Sequence, residues 1–146
     1  MDTELNLYLA GPMTGHPAFN YYEFSDWATA LRYHGFDVVS PAESDDPEVQ
    51  RAAYHSSSGD VRDLPDSYDP HETMVRNVTE VTLCDGVAVM PGWCLSLGAR
   101  HEVETAVRLG LPVAPVQLWL AATGYGASEA LTLDDPREFV NEEVLL

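Results

Sequence analysis

The spacing of apolar and polar residues along the chain predicts strands and helices in regular alternation. Four apolar runs have strand length and lie at residues 5–10, 36–40, 86–90 and 112–116. Three longer stretches repeat apolar residues every three to four positions, as helices do, at about 20–34, 69–84 and 97–109. A short helix is predicted near 118–122 and a last one from 135 onwards. This alternation is typical of a parallel sheet with right-handed crossovers.

We therefore predict an α/β fold, a Rossmann-like three-layer sandwich with four or five parallel strands, formed as one domain by residues 1–146. The segment 41–69 is polar, rich in Asp, Ser and Pro, and has no strong period. It is interpreted as a long loop with one helical turn around 48–54. Loops of this length are often lids or binding loops.

The predicted helices carry recognisable start signals. Asn20 and Glu23 have the spacing of a capping box at the first helix. Asp69 followed by Pro70 is a cap followed by a proline at the first helical position. The second helix presents an apolar face made of Met74, Val78 and Val81. In the third, the predicted buried stripe leaves Glu102 at its border and consists of Ala99, Val103, Ala106 and Val107.

A ligand site is predicted at the carboxyl edge of the sheet, where the segments 11–19, 41–69 and 91–97 converge. Gly11 and Gly15 bound the turn after the first strand, where glycines let backbone amides approach a ligand closely. Glu102 follows about one and a half turns into the third helix. A carboxylate there could attack a sugar carbon, as glycosidase carboxylates do. On the residues alone, a solvated helix carboxylate is the alternative.

The composition removes several kinds of chemistry. The chain has seven arginines, no lysine and 24 acidic residues, for a net charge of −17. Without lysine there is no Walker A loop, no Schiff base and no pyridoxal phosphate attachment. The charge argues against a nucleic acid polymer as partner, because neutralising phosphates requires a basic face. A small nucleoside or nucleotide held in a pocket remains compatible with it.

Neither a metal nor another cofactor is expected. The five histidines are scattered, and Cys84 and Cys94 lack the paired spacing of zinc or redox sites. The chain shows no secretory signal pattern and no apolar run of about 18 residues. These features predict a cytoplasmic protein without a membrane partner.

Three stretches of the sequence show a family resemblance. They are Leu7-Tyr8-Leu9-Ala10-Gly11-Pro12, Cys84-Asp85-Gly86 and Ser96-Leu97-Gly98-Ala99-Arg100-His101-Glu102. The chain resembles the nucleoside 2-deoxyribosyltransferase-like superfamily, and most closely a poorly characterised phage and bacterial branch of it. The resemblance covers about residues 5–43 and 72–116. It implies cleavage or transfer at the N-glycosidic bond of a nucleoside or nucleoside 5′-monophosphate. By analogy with phages, which often remodel these pools, we expect pyrimidine deoxynucleotides as substrates.

The resemblance also implies roles for individual residues. Glu102 corresponds to the nucleophile that attacks the anomeric carbon, and Tyr8 to a tyrosine that orients it. Ser96 corresponds to a serine near the 5′-phosphate, where the amino terminus of the following helix also favours an anion. Further contacts with the substrate are expected from Gly11, Pro12, Met13, Thr14, Gly15, Trp93 and Gly98. For Trp93, stacking on a base and packing in the core are equal alternatives.

One position departs from the superfamily pattern. Asn77 stands where the family has an aspartate that assists the departing base, and an amide cannot act as a general acid. Another group could substitute, and the nearest in sequence are Asp69, His71 and Glu72. Alternatively, the base leaves without such help. A third alternative is that the protein binds nucleotides and cleaves nothing.

The sequence also leaves open how the chain associates. Superfamily members complete their pockets with residues of a neighbouring subunit, and the segment 139–146 ends on three apolar residues. We expect a homodimer or a dimer of dimers, with the second helix or this segment at the interface. An unrelated flavodoxin-like interaction domain is a further alternative, and it requires the turn from Gly11 to Gly15 to be empty and Glu102 to be fully solvated.

Overall fold

The structure, a computed structural model, describes residues 5–122. Within this range four strands form one sheet, all of them parallel, in the order β2-β1-β3-β4. The strands are β1 (Asn6–Ala10), β2 (Asp37–Val39), β3 (Gly86–Val89) and β4 (Val113–Pro115). The helices are α1 (Tyr21–Tyr33), α2 (Pro41–Ser44), α3 (Pro47–His55), α4 (Pro70–Thr82), α5 (Leu97–Arg108) and α6 (Val116–Ala122). The predicted α/β fold with a four-stranded parallel sheet is confirmed.

Helices cover both faces of the sheet, which makes the fold a three-layer sandwich. Side chains alternate along β1, so Leu7 and Leu9 join one buried cluster and Tyr8 and Ala10 the other. The first cluster includes residues of α1, α3 and α6, and the second includes residues of α4 and α5. Tyr8 is therefore buried between the sheet and the layer formed by α4 and α5.

The start of α4 forms as predicted, whereas the start of α1 does not. The Asp69 carboxylate accepts hydrogen bonds from the backbone N–H groups of His71 (2.9 Å) and Glu72 (3.3 Å). Asn20 makes no capping bond, because its backbone is left-handed at φ 63°. Its side-chain amide instead donates to the Pro12 carbonyl at 2.9 Å. The predicted capping box is therefore wrong, and Asn20 braces the turn after β1.

The segment 41–69 is more regular than the predicted single loop. It contains α2, α3 and a 3-10 turn at Val61–Asp63. Prolines occupy the first position of α2 and of α3, a start signal that the polar composition of the segment obscured. Val49 and Ala53 of α3 are buried in the core beside α1. This part of the predicted lid is a packed element of the domain.

Other predictions about helices met mixed outcomes. Of the three residues predicted for the apolar face of α4, Val81 is fully buried, Val78 is half-buried and Met74 remains 41% exposed. The helix predicted from residue 135 and the apolar segment 139–146 lie outside the described residues. Among residues 5–122, every helix is too short or too polar to cross a bilayer.

Candidate functional site

A cleft of about 430 Å³ opens at the carboxyl edge of the sheet. Its walls come from the turn after β1, from α4 and from the start of α5, with Pro41 and Tyr68 added by the segment between β2 and α4. The predicted convergence of three segments at this edge is thus found in the structure. Gly11, Pro12, Met13 and Thr14 all line the cleft, as do Asn77, Ser96, Gly98 and Glu102.

Glu102 is buried in the cleft wall, with only 6% of its surface exposed. The buried stripe of α5 consists of Ala99, Glu102, Val103 and Ala106, whereas Val107 is 45% exposed. The prediction that Val107 belongs to the stripe and Glu102 to its border is therefore wrong. The spacing i, i+3, i+4, i+7 accommodates Glu102 equally well, and only its charge argued for the outer face. Its burial also contradicts the alternatives of a solvated helix carboxylate and of a flavodoxin-like interaction domain.

Tyr8 and Glu102 meet although 94 positions separate them in sequence. The Tyr8 hydroxyl donates to Glu102 Oε2 at 2.9 Å, and both groups are buried. The strand β1 turns Tyr8 towards α5, and α5 turns Glu102 towards the sheet. Tyr8 thereby fixes one oxygen of the carboxyl group.

Burial makes Glu102 an unusually weak acid. Loss of solvation raises the pKa of Glu102 from 4.5 to about 8, and the negative charge of Glu80 acts in the same direction. The side chains of Tyr8 and Asn77 and the charge of Arg76 act against this rise. The pKa of Tyr8 is raised well above its ordinary value by burial and by Glu102, so Tyr8 keeps its proton and remains a donor. At neutral pH most molecules consequently hold a protonated Glu102.

Asn77 occupies the α4 side of the cleft and is 7% exposed. Its side-chain oxygen accepts two hydrogen bonds from Arg76, from Nε at 3.0 Å and from Nη2 at 2.7 Å. The amide therefore acts on Glu102, whose pKa it lowers. The structure thus brings Tyr8, Asn77 and Glu102 together from β1, α4 and α5.

The two glycines after β1 differ in their positions, since Gly11 lines the cleft and Gly15 does not. A Cβ atom on Gly11 would lie 2.8 Å from Met90 Sδ and 2.9 Å from Met90 Cβ, so Gly11 permits close packing of two strand ends. Gly15 has φ +88° and donates its N–H to the Gly59 carbonyl at 2.9 Å. The lining of the cleft does not include Gly15. The expectation that its amide faces a ligand is therefore wrong.

The amino terminus of α5 also lines the cleft. The Ser96 hydroxyl oxygen accepts the backbone N–H of Ala99 at 3.2 Å and so caps the helix. Leu97 and Gly98 follow at positions whose N–H groups have no partner inside a helix, and both line the cleft. Together with the helix dipole, these groups favour an anion at this end.

Trp93 belongs to the core and not to the cleft. It is 3% exposed and packs in the cluster between the sheet, α4 and α5. Gly92 adopts φ +83° at the start of a 3-10 turn formed by Trp93–Leu95, which directs the indole ring inwards. Of the two alternatives for Trp93, packing in the core is the one that the structure shows.

The groups suggested as substitutes for the missing acid do not line the cleft. Asp69 caps α4, and neither His71 nor Glu72 contributes to the lining. The titratable side chains that do line it, besides Glu102, are His16, Tyr68 and His101. Sequence reasoning missed these three. The position of His101 beside Glu102 at the start of a helix was the available signal.

The described residues 5–122 contain no group of three His, Cys, Asp or Glu side chains arranged to hold a metal ion.

Comparison with known proteins adds one family. The family model described as "Domain of unknown function (DUF4406)" matches residues 5–115, so the chain belongs to this family. That family lies in a nucleoside deoxyribosyltransferase-like clan. No curated protein matches the chain.

Proposed function

We propose that this member of the DUF4406 family cleaves or transfers the N-glycosidic bond of a nucleoside or nucleoside 5′-monophosphate, with Glu102 as nucleophile. The observation that carries the proposal is the buried hydrogen bond from Tyr8 to Glu102 in the wall of a cleft of about 430 Å³. A buried carboxyl group with a raised pKa, held by a specific partner beside a cleft, is typical of catalytic carboxylates. The volume suits a ligand of nucleotide size.

The reaction begins when the ionised Glu102 carboxylate attacks the anomeric carbon. A carbon–oxygen bond forms, the bond from carbon to the base nitrogen breaks, and the base departs with that electron pair. Water or a second base then attacks the same carbon, and the bond from that carbon to Glu102 breaks and returns its electron pair to the carboxylate. An attacking water passes its proton to the group that protonated the departing base, and two inversions retain the configuration. Tyr8 supports the first step because it holds one carboxylate oxygen and favours the charged form.

The departing base takes up a proton, and the cleft offers several donors. Asn77 is a neutral amide whose oxygen is already bonded to Arg76, so it does not supply this proton. His101 and His16 line the cleft and are the donors we favour.

The end of the cleft at α5 supports a 5′-monophosphate as part of the substrate. The N–H groups of Leu97 and Gly98 and the positive end of the helix dipole would stabilise phosphate charge. A Cβ atom added at Gly98 would approach only Ser96 Oγ, at 4.0 Å, so space remains there for a ligand. The first substrates to test are pyrimidine deoxynucleoside monophosphates, a choice of base and sugar made by analogy and not from the cleft.

The test uses a panel of nucleosides and their 5′-monophosphates, with free base measured by chromatography. We expect base release whose rate rises with pH up to about 8, because the attacking carboxylate must be ionised. Glu102→Gln keeps the shape of the side chain and removes the nucleophile. Base release that persists undiminished in this variant would contradict the assignment of Glu102.

A second candidate function is a nucleotide-binding or regulatory module without catalysis. Two observations favour it: the amide of Asn77 in the cleft wall, and a Glu102 that is mostly protonated at neutral pH. Thermal shift measurements with the same panel separate the two functions. Stabilisation by a ligand without base release, even at pH 9 and after long incubation, supports the binding module.

We also propose a homodimer or a dimer of dimers. The support is a set of apolar side chains exposed on α4 and around the mouth of the cleft: Met74 (41%), Val75 (52%), Leu95 (81%) and Leu97 (68%). Exposed apolar side chains of this size on one helix and beside a cleft are candidates for a contact with another protein. Salt should strengthen the association, because screening over about 8 Å reduces repulsion between chains of charge −17. A monomeric mass in light scattering at micromolar concentration and moderate salt would contradict this proposal.

A further inference from the structure

We propose that Arg76 is a positioning residue: it fixes the Asn77 amide with its NH2 group towards Glu102, so that Tyr8 and Asn77 hold the carboxyl group together. The inference rests on the proposed function for what the carboxylate then does. The arrangement itself is tested below without any substrate.

All five N–H groups of the Arg76 guanidinium are used. Nε and Nη2 donate to Asn77 Oδ1 at 3.0 and 2.7 Å. Nη1 donates to the Ser44 carbonyl at 3.1 Å and to Asp45 Oδ1 at 2.9 Å, and Nη2 also donates to the Pro41 carbonyl at 3.3 Å. A planar group with every donor bonded has a single orientation. These bonds hold Arg76, a residue of α4, against α2 and against Asp45, the residue that follows α2.

The orientation of the Asn77 amide follows from this lock. A guanidinium carries donors and no acceptor, so only the amide oxygen can face it. The two N–H groups of Asn77 must then point away from Arg76, and the interaction with Glu102 lowers the pKa of that carboxyl group. Because Arg76 has engaged the acceptor of Asn77, the amide can present only its donors to the cleft that Asn77 and Glu102 both line.

The same geometry explains why an amide suits this position better than an acid. A carboxyl group at residue 77 would accept the two Arg76 bonds and be held in its ionised form. It would then present an oxygen, and not a donor, to Glu102. An aspartate here would consequently disfavour the ionised nucleophile and would not act as a proton donor.

The groups that act on Glu102 come from two elements and oppose one another. Tyr8 on β1 favours the charged form, as do Asn77 and Arg76 on α4, whereas Glu80 on α4 disfavours it. Glu80 is itself bonded by the Ser44 hydroxyl at 2.9 Å. The neighbour of Glu102 on α5, His101, also lines the cleft.

The experiment is a pH titration of the free protein labelled with 13C at the glutamate side-chain carboxyl groups. The Glu102 signal is assigned by its loss in Glu102→Gln. We expect the wild-type midpoint near pH 8. Arg76→Gln should raise it by about one unit, because the fixed amide and a nearby positive charge are lost together. Asn77→Asp keeps the size of the side chain and an oxygen that accepts from Arg76. The carboxyl groups at residues 77 and 102 should then titrate in two steps, and the midpoint of the second step should lie about one to three pH units above the wild-type midpoint.

Two further variants separate orientation from charge. Arg76→Lys keeps the charge and cannot make the two-pronged contact, so it should show much of the Arg76→Gln shift. Arg62→Gln removes an arginine whose side chain is 87% exposed and should leave the midpoint unchanged. Thermal unfolding verifies that each variant is folded. Should Arg76→Gln unfold the protein, Asn77→Asp decides the question, since it retains the contacts of Arg76.

The inference is overturned if folded Asn77→Asp titrates at or below the wild-type midpoint. It is also overturned if Arg76→Lys matches the wild type while Arg76→Gln does not, because charge alone would then account for the shift. None of these outcomes depends on base release. Failure of the inference is therefore distinguishable from failure of the proposed nucleophile.

Discussion

Two tyrosine–carboxylate pairs lie on either side of Arg76 and differ in one respect. Tyr21 donates its hydroxyl to Asp45, and the Arg76 guanidinium binds the same carboxylate at 2.9 Å. Tyr8 donates to Glu102 in the same manner, but on that side the guanidinium is bonded to the Asn77 amide and not to the carboxylate. Burial raises the pKa of both tyrosines, so both remain donors.

The difference separates a structural pair from a reactive one. Asp45 has a cation in direct contact and joins the segment before α3 to α4. Glu102 accepts a hydrogen bond from the neutral Tyr8 hydroxyl and forms no ion pair within residues 5–122, and its pKa rises to about 8. A carboxylate paired with arginine is a weak nucleophile, because the cation stabilises its negative charge. A carboxylate without a counterion is more reactive towards an electrophilic carbon. Substitutions in the two pairs should therefore affect different properties.

The largest effect is expected from Glu102→Gln. If Glu102 is the nucleophile, base release should fall by about 10⁴-fold or more, because no other group supplies the covalent step. Ligand-induced thermal stabilisation should persist, since the amide has the same shape. The measurement is single-turnover base release for the variant and the wild type at pH 8.5. If the rate of base release fell less than tenfold, Glu102 would not be the nucleophile, and Tyr8–Glu102 would not differ from Tyr21–Asp45 as a reactive pair.

Tyr8→Phe should have the next largest effect. It removes a hydrogen bond to a charged group, worth about 1.5–3 kcal/mol, or roughly 10- to 100-fold in rate. The pKa of Glu102 should move above 8, because one of the groups that lower it is gone. The pH profile of base release should accordingly shift to higher pH. The matched control is Tyr21→Phe, for which we expect an unchanged profile.

The stability of the protein should depend on pH through Glu102. Between the unfolded pKa of 4.5 and the folded pKa of about 8, only the folded state holds the proton, so wild-type stability falls as pH rises. Glu102→Gln lacks this loss. Urea unfolding at several pH values measures the free energy of unfolding of both proteins. As pH rises, the value for the variant minus the value for the wild type should increase by at most about 1.4 kcal/mol per pH unit. Above pH 8 this difference in the free energy of unfolding should become constant. A difference that does not change with pH anywhere would contradict the raised pKa of Glu102.

The smallest effect on chemistry is expected from Asp45→Asn. The variant breaks the ion pair with Arg76, whose side chain is 29% exposed, and should lower the free energy of unfolding by about 1–3 kcal/mol. Base release should change less than it does in Tyr8→Phe, because Arg76 keeps its contacts with Asn77. Chemical denaturation and base release on the same preparation test both statements. A loss of activity as large as that of Tyr8→Phe would show that the pairs are coupled.

The sequence alone predicted the features that depend on residues close together in the chain, such as the positions of strands and helices. Apolar runs of strand length and helical spacing correctly located the four strands and the helices α1, α4 and α5. The Asp69-Pro70 start signal specified where α4 begins, because its hydrogen bonds span only three residues. The carboxyl edge of a parallel sheet followed from connectivity, and the cleft lies there. The motif around Glu102 located the carboxylate but not its environment.

Only the tertiary structure decided the burial of Glu102, the inward turn of Trp93 and the packing of α3. Each depends on a neighbour far away in sequence. Tyr8 gives Glu102 a partner 94 positions away, and Asp45 binds Arg76 across 31 positions. Hydrophobic periodicity cannot distinguish a buried glutamate from an exposed one. The decision depends on whether a partner offsets the cost of removing the charge from water, and that partner is fixed only when the sheet and its helices come together.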